Sequence, residues 1–199
     1  SARRKHPVLD RGLAFCDFLR RHKDRAWSQL GTSGGGNHFA EFGIFSVKGG
    51  VLDRVPGGTY LALLTHSGSR YVGGAAARHY SQIATRLHPH LPRTHRRLAW
   101  LPLSSSEGLE YWQVMELLGL YAAANHELIH DSLTRACGLK PLWTLENHHN
   151  YAWLERFGAE QLVVHRKGAT PAHMDTLGII PGTMIHPAYV VRGRGNPDA

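Results

Sequence analysis

The side chains best suited to phosphate chemistry begin in a glycine-rich stretch at residues 31–41. Four glycines at positions 31, 34, 35 and 36 precede Asn37 and His38, and Glu41 follows closely. Glycines let a backbone approach an anion closely and adopt positive φ angles. The pattern is therefore typical of a phosphate-binding loop with a histidine beside it.

A second polar cluster, residues 65–70, carries His66 and Arg70. The apolar run 60–64 that precedes it is bounded by glycines, which indicates a buried strand. We therefore expect this strand to deliver His66 and Arg70 at its carboxyl end.

A third histidine, His149, follows a strand predicted over 142–146, and Arg166 and Lys167 follow another predicted over 161–165. Imidazole binds Mn, Zn, Fe and Ni alike, so the histidines alone do not identify the metal. Each histidine taken singly is more often structural. Together with the nearby cationic side chains, the three favour a site for metal and phosphate.

The remaining patterns supply the elements that would position these clusters. Strand and helix patterns interchange along the chain, which predicts an α/β or α+β fold with a mixed sheet. The long helix has a capping-box pattern from Ser104 to Glu107. On it, His126 and His130 share a face at i, i+4 spacing, although such residues are more often surface or packing residues. Further predicted elements are helices over 7–30, 73–87 and 104–136, strands over 39–47 and 189–191, a basic loop over 88–97 and a turn over 179–184.

The composition suits one domain in a reducing compartment. The 199 residues, 42% of them hydrophobic, can bury one sizeable core. The two cysteines lie far apart, which favours a cytoplasmic location over a secreted one. No stretch approaches the roughly 20 apolar residues of a membrane span, so we expect no membrane association.

The charge balance points to an anionic partner. The net charge is +8 and the pI is about 9.9. Nucleic acid is the natural partner of such a chain, although a solvated basic surface explains the charge equally well. The 15 histidines make a metal or acid–base site worth seeking.

Five short stretches resemble, in order and spacing, the motifs of the RtcB family of RNA ligases: GTSGGGNHFAE, HSGSR, HHNYAWLE, RKGAT and PGTM. The resemblance covers about residues 30–191. It implies an α+β, RtcB-like fold of mixed sheets with flanking helices and one long central helix. The family usually has arginine where His126 stands.

The resemblance also implies an activity. Members of this family join an RNA end with a 2′,3′-cyclic phosphate or 3′-phosphate to a 5′-hydroxyl end, in tRNA splicing or RNA repair, using GTP and manganese. The implied partners are RNA ends, either tRNA halves or broken RNA, and GTP. Carried over by position, His38, His66 and His149 would be ligands of a site for two Mn²⁺ ions.

Five more positions match family residues that contact nucleotide or RNA. Asn37 would contact the phosphate of the guanylate or of the RNA end, and Glu41 would hydrogen-bond the guanine. Thr183 would lie near the nucleotide. Arg70 and Lys167 would bind RNA or nucleotide phosphates.

Two family stretches have no counterpart among the 199 residues. One is an upstream Asp-x-x-Cys-Gly, whose Asp and Cys bind the metals, and the other is a downstream His-Gly-Ala-Gly-Arg, whose histidine accepts GMP. We therefore expect residues 1–199 to be one central catalytic-core segment that has no catalytic nucleophile and is inactive in guanylation alone. Cys16 and Cys137 lack the flanking pattern of the family's metal-binding cysteine.

Two other functions fit the same residues. A shortened relative could bind RNA ends without chemistry, through salt-sensitive phosphate contacts. A histidine–metal phosphoesterase ranks last, because apart from Glu41 no carboxylate is placed as an obvious general base. The sequence does not specify an oligomeric state.

Overall fold

The computed structural model describes residues 6–183 and 185–196, and the chain divides into two compact units, residues 1–142 and 143–199. Helices and antiparallel hairpins make up the described chain, which confirms the predicted α+β class. The expectation of one catalytic-core domain over residues 1–199 stays a prediction. In the described part of the chain, no helix has the length and hydropathy that a membrane span requires.

Three helices form the core of the first unit: α1 (Asp17–Gln29), α2 (Arg70–Leu87) and α3 (Ser106–Ala136). Their apolar faces meet around fully buried side chains such as Leu19, Val72 and Val114. The Tyr121 hydroxyl donates to the Ala26 carbonyl oxygen at 2.7 Å, which ties α3 to the last turn of α1. Burial raises the pKa of Tyr121, so this hydroxyl stays protonated and remains a donor.

The first unit also contains the hairpin of β1 (Phe39–Val47) and β2 (Gly58–His66), paired antiparallel from Phe39↔His66 to Val47↔Gly58. The predicted bounds of β1 are confirmed, and β2 extends the predicted strand at both ends. Two short 3-10 helices, Pro7–Leu9 and Arg96–Leu98, complete this unit.

The second unit consists of two hairpins. The first pairs β3 (Asn150–Phe157) with β4 (Glu160–Lys167), and the second pairs β5 (Leu177–Ile180) with β6 (Tyr189–Arg192). Every sheet among the described residues is therefore two-stranded and antiparallel, whereas the sequence predicted mixed sheets within the α+β class.

Several predicted elements are wrong in position. The helix expected over 7–30 is a short 3-10 helix, a turn containing Gly12 at φ +95°, and only then α1. Residues 142–146 are not a strand, and β3 begins only at Asn150. Residues 179 and 180, expected in a turn, end β5. The cap of α3 is also shifted by one residue, because it is Ser105, not Ser104, whose hydroxyl accepts the Gly108 N–H at 3.1 Å.

Candidate metal- and phosphate-binding site

The register of the β1–β2 hairpin brings two of the candidate histidines together. His66 is the last residue of β2 and lies opposite Phe39, the first residue of β1, so His38 reaches the same end of the hairpin. The ring centres of His38 and His66 are 5.7 Å apart. Phe39 and His66 pack edge to face, with ring centres 5.7 Å apart and an interplanar angle of 89°. His38 directly precedes the strand predicted over 39–47, and antiparallel pairing of that strand with β2 produces its proximity to His66.

The His38 ring is held by the glycine-rich loop. Its Nδ1 lies 2.8 Å from the carbonyl oxygen of Ser33. When Nδ1 carries the proton and donates to that carbonyl, the lone pair of Nε2 faces outward, as in metal-binding histidines whose second nitrogen is fixed by a backbone carbonyl. The loop thus selects a ring orientation suited to a metal ligand.

Arg70 lies against both the loop and His38. Its Nε donates to Thr32 Oγ1 at 3.2 Å, and its Nη1 is 3.1 Å from His38 Nδ1. A Cβ at Gly34 would overlap the guanidinium, so glycine is required at that position for this placement. His38 Nδ1 can donate to Ser33 or accept from Arg70, but it cannot do both with one proton. The tautomer of His38 is therefore linked to the position of Arg70.

The backbone of Arg70 is strained. Its φ is +57°, in the left-handed region that residues other than glycine seldom adopt. Such conformations persist only where the surroundings impose them, and they concentrate at functional sites. The first residue of α2 is thus held in an unfavourable conformation, and its guanidinium lies against His38.

A buried asparagine, which the sequence analysis missed, joins the two polar clusters. The Oδ1 of Asn125 accepts the N–H groups of Gly31 and Thr32 at 2.6 and 3.1 Å. Its Nδ2 lies within hydrogen-bond distance of the Thr32 carbonyl (3.1 Å), Ser67 Oγ (3.0 Å) and the Gly68 carbonyl (3.3 Å). Asn125 has no solvent exposure. One α3 side chain therefore bridges the loop that carries His38 and the segment that carries His66, which the Ser67 hydroxyl also joins directly by donating to the Ser33 carbonyl at 2.8 Å.

Two α3 histidines support the end of β2. The Ser67 N–H donates to His126 Nε2 at 3.2 Å, and His130 Nε2 lies 2.8 Å from Thr65 Oγ1. Burial, followed by the nearby His126, lowers the pKa of His130, so the ring favours its neutral form. Their i, i+4 spacing thus serves packing against β2, the more ordinary of the two interpretations.

The other two candidates of the first unit are exposed. Asn37 lies in the glycine turn, and Glu41 lies on β1. Alternation along an antiparallel pair puts Glu41 on the same face as Phe39 and His66. Both side chains are accessible to a ligand at the His38–His66 end of the hairpin.

The second unit brings His149 and Lys167 to one end of the β3–β4 hairpin. Lys167 ends β4 opposite Asn150, and His149 directly precedes Asn150. Two hydrogen bonds close this end: Ala169 N–H to the His149 carbonyl at 3.2 Å and Gly168 N–H to Asn150 Oδ1 at 3.0 Å.

Arg166 is engaged by a carboxylate. Its guanidinium donates to both carboxylate oxygens of Glu155, at 2.5 and 2.9 Å, and it lies 5.1 Å from the centre of the Trp153 ring. The Arg166 hydrogen bonds are the main cause that holds the pKa of Glu155 below its ordinary value. Arg166 is therefore a structural cation here, whereas the sequence analysis grouped it with the phosphate-binding residues.

Thr183 lies in an exposed turn of the second unit. Its Oγ1 is 2.7 Å from His186 Nδ1, and its carbonyl accepts the His186 N–H at 3.0 Å. Gly182 has φ +65° in this turn, where a Cβ would also come too close to the Pro187 carbonyl.

The candidates thus form one group in each unit. His38, His66 and Arg70 come together in the first, and His149 and Lys167 in the second. Within neither unit do the described residues form a group of three or more His, Cys, Asp or Glu side chains able to hold a metal ion. A metal site that joins all three histidines stays a prediction.

Comparison with known proteins places these residues in a family context. Residues 14–199 match the family model described as "RtcB: tRNA-splicing ligase RtcB". The chain is 28% identical over 186 residues to RNA-splicing ligase RtcB of Escherichia coli (strain K12), covering 87% of this chain and 43% of that protein. It is 30% identical to the tRNA-splicing ligases RtcB of Methanococcus maripaludis and Thermococcus kodakarensis, covering 86% of this chain and 42% of each relative. The chain therefore spans less than half the length of these relatives.

Proposed function

The chain belongs to the RtcB family, and on that premise we propose that it carries the metal- and phosphate-binding part of an RNA ligase. The proposed reaction joins a 2′,3′-cyclic phosphate or 3′-phosphate RNA end to a 5′-hydroxyl end, with GTP and Mn²⁺. The family match over residues 14–199 supports the class of enzyme. None of the 199 residues is assigned as the acceptor of GMP.

His38 and His66, with His149 as a third ligand, would hold Mn²⁺. A nitrogen ligand lies about 2 Å from its metal and about 1 Å from the centre of its ring, so two imidazoles that share a cation have ring centres up to about 6 Å apart. The separation of 5.7 Å between His38 and His66 fits this limit. The bound metal would neutralise charge on the phosphoryl group during transfer.

The cationic side chains would hold the oxygens of the phosphate groups. Arg70 presents a guanidinium beside His38, and guanidinium groups bind phosphate through two parallel hydrogen bonds. Lys167 would supply a second cation at the His149 end of the β3–β4 hairpin. Asn37 and Glu41 would contact the guanylate or the RNA end.

Thr183 is the remaining nucleotide contact that we propose. Its hydroxyl lies in an exposed turn, beside His186. A hydroxyl in that position can donate to a phosphate or sugar oxygen.

One observation carries the proposal: two imidazoles and one guanidinium meet at a glycine-rich loop, inside a chain whose motifs match the RtcB family. When a ligand phosphate draws Arg70 away from His38 Nδ1, that nitrogen can keep its proton and donate to Ser33. Phosphate binding and metal binding should therefore favour each other.

Mn²⁺ binding to the purified chain tests the proposal, with free Mn²⁺ measured by electron paramagnetic resonance. We expect His38→Ala and His66→Ala each to weaken Mn²⁺ binding at least about 10-fold. His90→Ala, at an exposed histidine of the loop after α2, is the control and should bind as the wild type does. An Mn²⁺ affinity that His66→Ala leaves unchanged would contradict the proposal.

The RNA-end part has a separate readout. Fluorescence anisotropy with two short RNAs that differ only in a 3′-phosphate or a 3′-hydroxyl should show tighter binding of the phosphate form. Arg70→Gln should remove that preference. Equal binding of both RNAs by the wild type would contradict recognition of the RNA end.

A further inference from the structure

An exposed surface of the first unit lies directly beside Arg70, on helices α1 and α2. It consists of Arg21, Arg25, Tyr71 and Arg78, and we refer to it as the arginine–tyrosine surface. Arg21 and Arg25 are one helical turn apart on α1, and Tyr71 and Arg78 are two turns apart on α2, so each pair shares a helix face. The four side chains are all exposed to solvent.

Two guanidinium groups lie near the tyrosine ring. The Cζ atoms of Arg25 and Arg78 are 5.3 and 5.9 Å from the centre of the Tyr71 ring. The Tyr71 N–H donates to Gln29 Oε1 at 3.1 Å, which fixes its backbone against the end of α1. Although both arginines approach it, the Tyr71 side chain is still 46% exposed. The ring is thus oriented by its neighbours and accessible to a ligand.

The arginines of this surface are not engaged in salt bridges, although Asp24 lies beside Arg25 on α1. Among residues 6–183 and 185–196, no carboxylate forms an ion pair with Arg21, Arg25 or Arg78. Other exposed arginines of this unit do have partners, such as Arg135 with Asp131 at 3.1 Å. Guanidinium groups that no salt bridge engages can attract an anionic ligand.

We propose that the arginine–tyrosine surface binds single-stranded RNA next to the end held at His38 and Arg70, with phosphates on the arginines and one base stacked on Tyr71. Surfaces that bind single strands combine cations along the backbone with aromatic rings on which bases stack. This inference rests on the proposed function, because it continues the same RNA strand.

The spacing along α2 sets the reach of this contact. Tyr71 follows Arg70 directly, and Arg78 is eight residues beyond Arg70, or about 12 Å along the helix axis at about 1.5 Å per residue. The surface therefore covers the few nucleotides nearest the RNA end. An acidic protein segment could pair with the arginines but would gain little from the exposed ring, so RNA fits both features better.

Anisotropy with a labelled single-stranded RNA of about 10 nucleotides tests this surface. Tyr71→Ala should weaken binding roughly 5- to 100-fold, whereas Tyr71→Phe, which keeps the ring, should stay within about 2-fold of the wild type. The double variant Arg25→Gln/Arg78→Gln should lower the slope of log affinity against log salt by about 1.4, since each lost phosphate contact removes about 0.7.

A second double variant controls for net charge. Arg135→Gln/Lys140→Gln removes the same two positive charges from exposed positions at the end of α3 and beyond it, and it should leave the slope unchanged. Equal effects of the two double variants, or an unchanged affinity in Tyr71→Ala with a wild-type unfolding midpoint, would overturn the proposal. If poly-glutamate competes with the labelled RNA as strongly as unlabelled RNA does, the proposal is overturned in favour of an acidic protein partner.

The two proposals fail separately. If the wild type shows no preference for a 3′-phosphate, only the proposed site at His38 and Arg70 is contradicted. Insensitivity of overall RNA affinity to Tyr71, Arg25 and Arg78 concerns the arginine–tyrosine surface alone.

Discussion

The two hairpin ends that carry the candidate residues are held in place by different means. At the β1–β2 end, the segments that carry His38 and His66 are tied together by Asn125, a buried side chain from a helix. At the β3–β4 end, the segment that carries His149 is held by hydrogen bonds of the backbone, of exposed Asn150 and of partly buried Asn147, which donates to the Leu177 carbonyl at 3.0 Å. An ion pair lies further along the strands.

The difference lies in how much each end depends on one side chain. Buried hydrogen bonds are costly to break, because the groups left behind lose their partners without regaining water. Surface hydrogen bonds are replaced by water when broken. We therefore infer that the first end is a rigid platform whose geometry one substitution can destroy, whereas the second end tolerates change. Three sets of substitutions test this contrast.

The largest effect is expected for Asn125→Leu, which keeps the approximate volume but removes the hydrogen bonds that Asn125 makes to both clusters. Five buried or partly buried groups then lose a hydrogen bond, although the Thr32 N–H keeps the Gln29 carbonyl and Ser67 Oγ keeps the Ser33 carbonyl. We expect the free energy of unfolding to fall by about 3–5 kcal/mol. Urea denaturation measures this. Asn37→Leu, at an exposed asparagine, should change stability by less than about 0.5 kcal/mol.

Hydrogen exchange locates the effect of Asn125→Leu. The amides of residues 31–32 and 67–68 should exchange faster, while those of β3 and β4 keep their protection. A loss below about 1 kcal/mol, or faster exchange spread evenly over both units, would mean that the first end is not specially dependent on Asn125.

The parts of this fold that follow from local pattern were predictable. The bounds of β1 and the end of α3 at Ala136 agree with the structure, since glycine turns and the stop signal at Gly138 mark them in the sequence. The capping residue of α3 was wrong by one position because Ser104 and Ser105 both offer a hydroxyl three residues before a backbone N–H of the first turn. Only the backbone path decides which one caps the helix.

The parts that depend on long-range partners were not predictable. Asn125 is one polar residue beside the apolar stripe of α3, and such a residue can have many roles. Its hydrogen-bond partners lie 57 to 94 positions away along the chain, so no local pattern identifies them. Arg166 lies next to Lys167 in a basic stretch, and nothing local indicates that Glu155 engages it. The resemblance to RtcB supplied the candidate residues, but it did not supply the contacts that hold them.

An intermediate effect is expected for Glu155→Gln in the second unit. The Glu155 and Arg166 side chains are only 10% and 18% exposed, so loss of the charged pair should cost about 1–3 kcal/mol at neutral pH. The Arg166 hydrogen bonds lower the folded-state pKa of Glu155. The pair therefore stabilises the folded state at pH values above about 4.5, the ordinary pKa of a glutamate side chain. That contribution is lost as the pH falls through the folded-state pKa.

The difference in stability between the wild type and Glu155→Gln should accordingly shrink as the pH falls below about 4.5. Urea denaturation across the acid range, followed by exchange of the β3 and β4 amides, measures it. Glu160→Gln, at an exposed carboxylate that starts β4, is the matched control and should show little difference at any pH. A pH-independent difference would show that the loss at residue 155 is one of packing and not of charge.

The smallest effects on stability are expected for a pair of glycine substitutions, Gly34→Ala and Gly168→Ala. Both glycines have positive φ, +106° and +67°, so each alanine should cost about 1 kcal/mol of backbone strain. Their surroundings differ, because a Cβ at Gly168 meets nothing within 4 Å whereas one at Gly34 overlaps the Arg70 guanidinium.

Gly34→Ala must therefore displace Arg70 from His38, and it should remove the preference for a 3′-phosphate end, as Arg70→Gln does. Gly168→Ala should keep that preference at a similar cost in stability. If the two alanines changed RNA-end binding equally, the tight placement of Arg70 would not be what distinguishes the first end from the second.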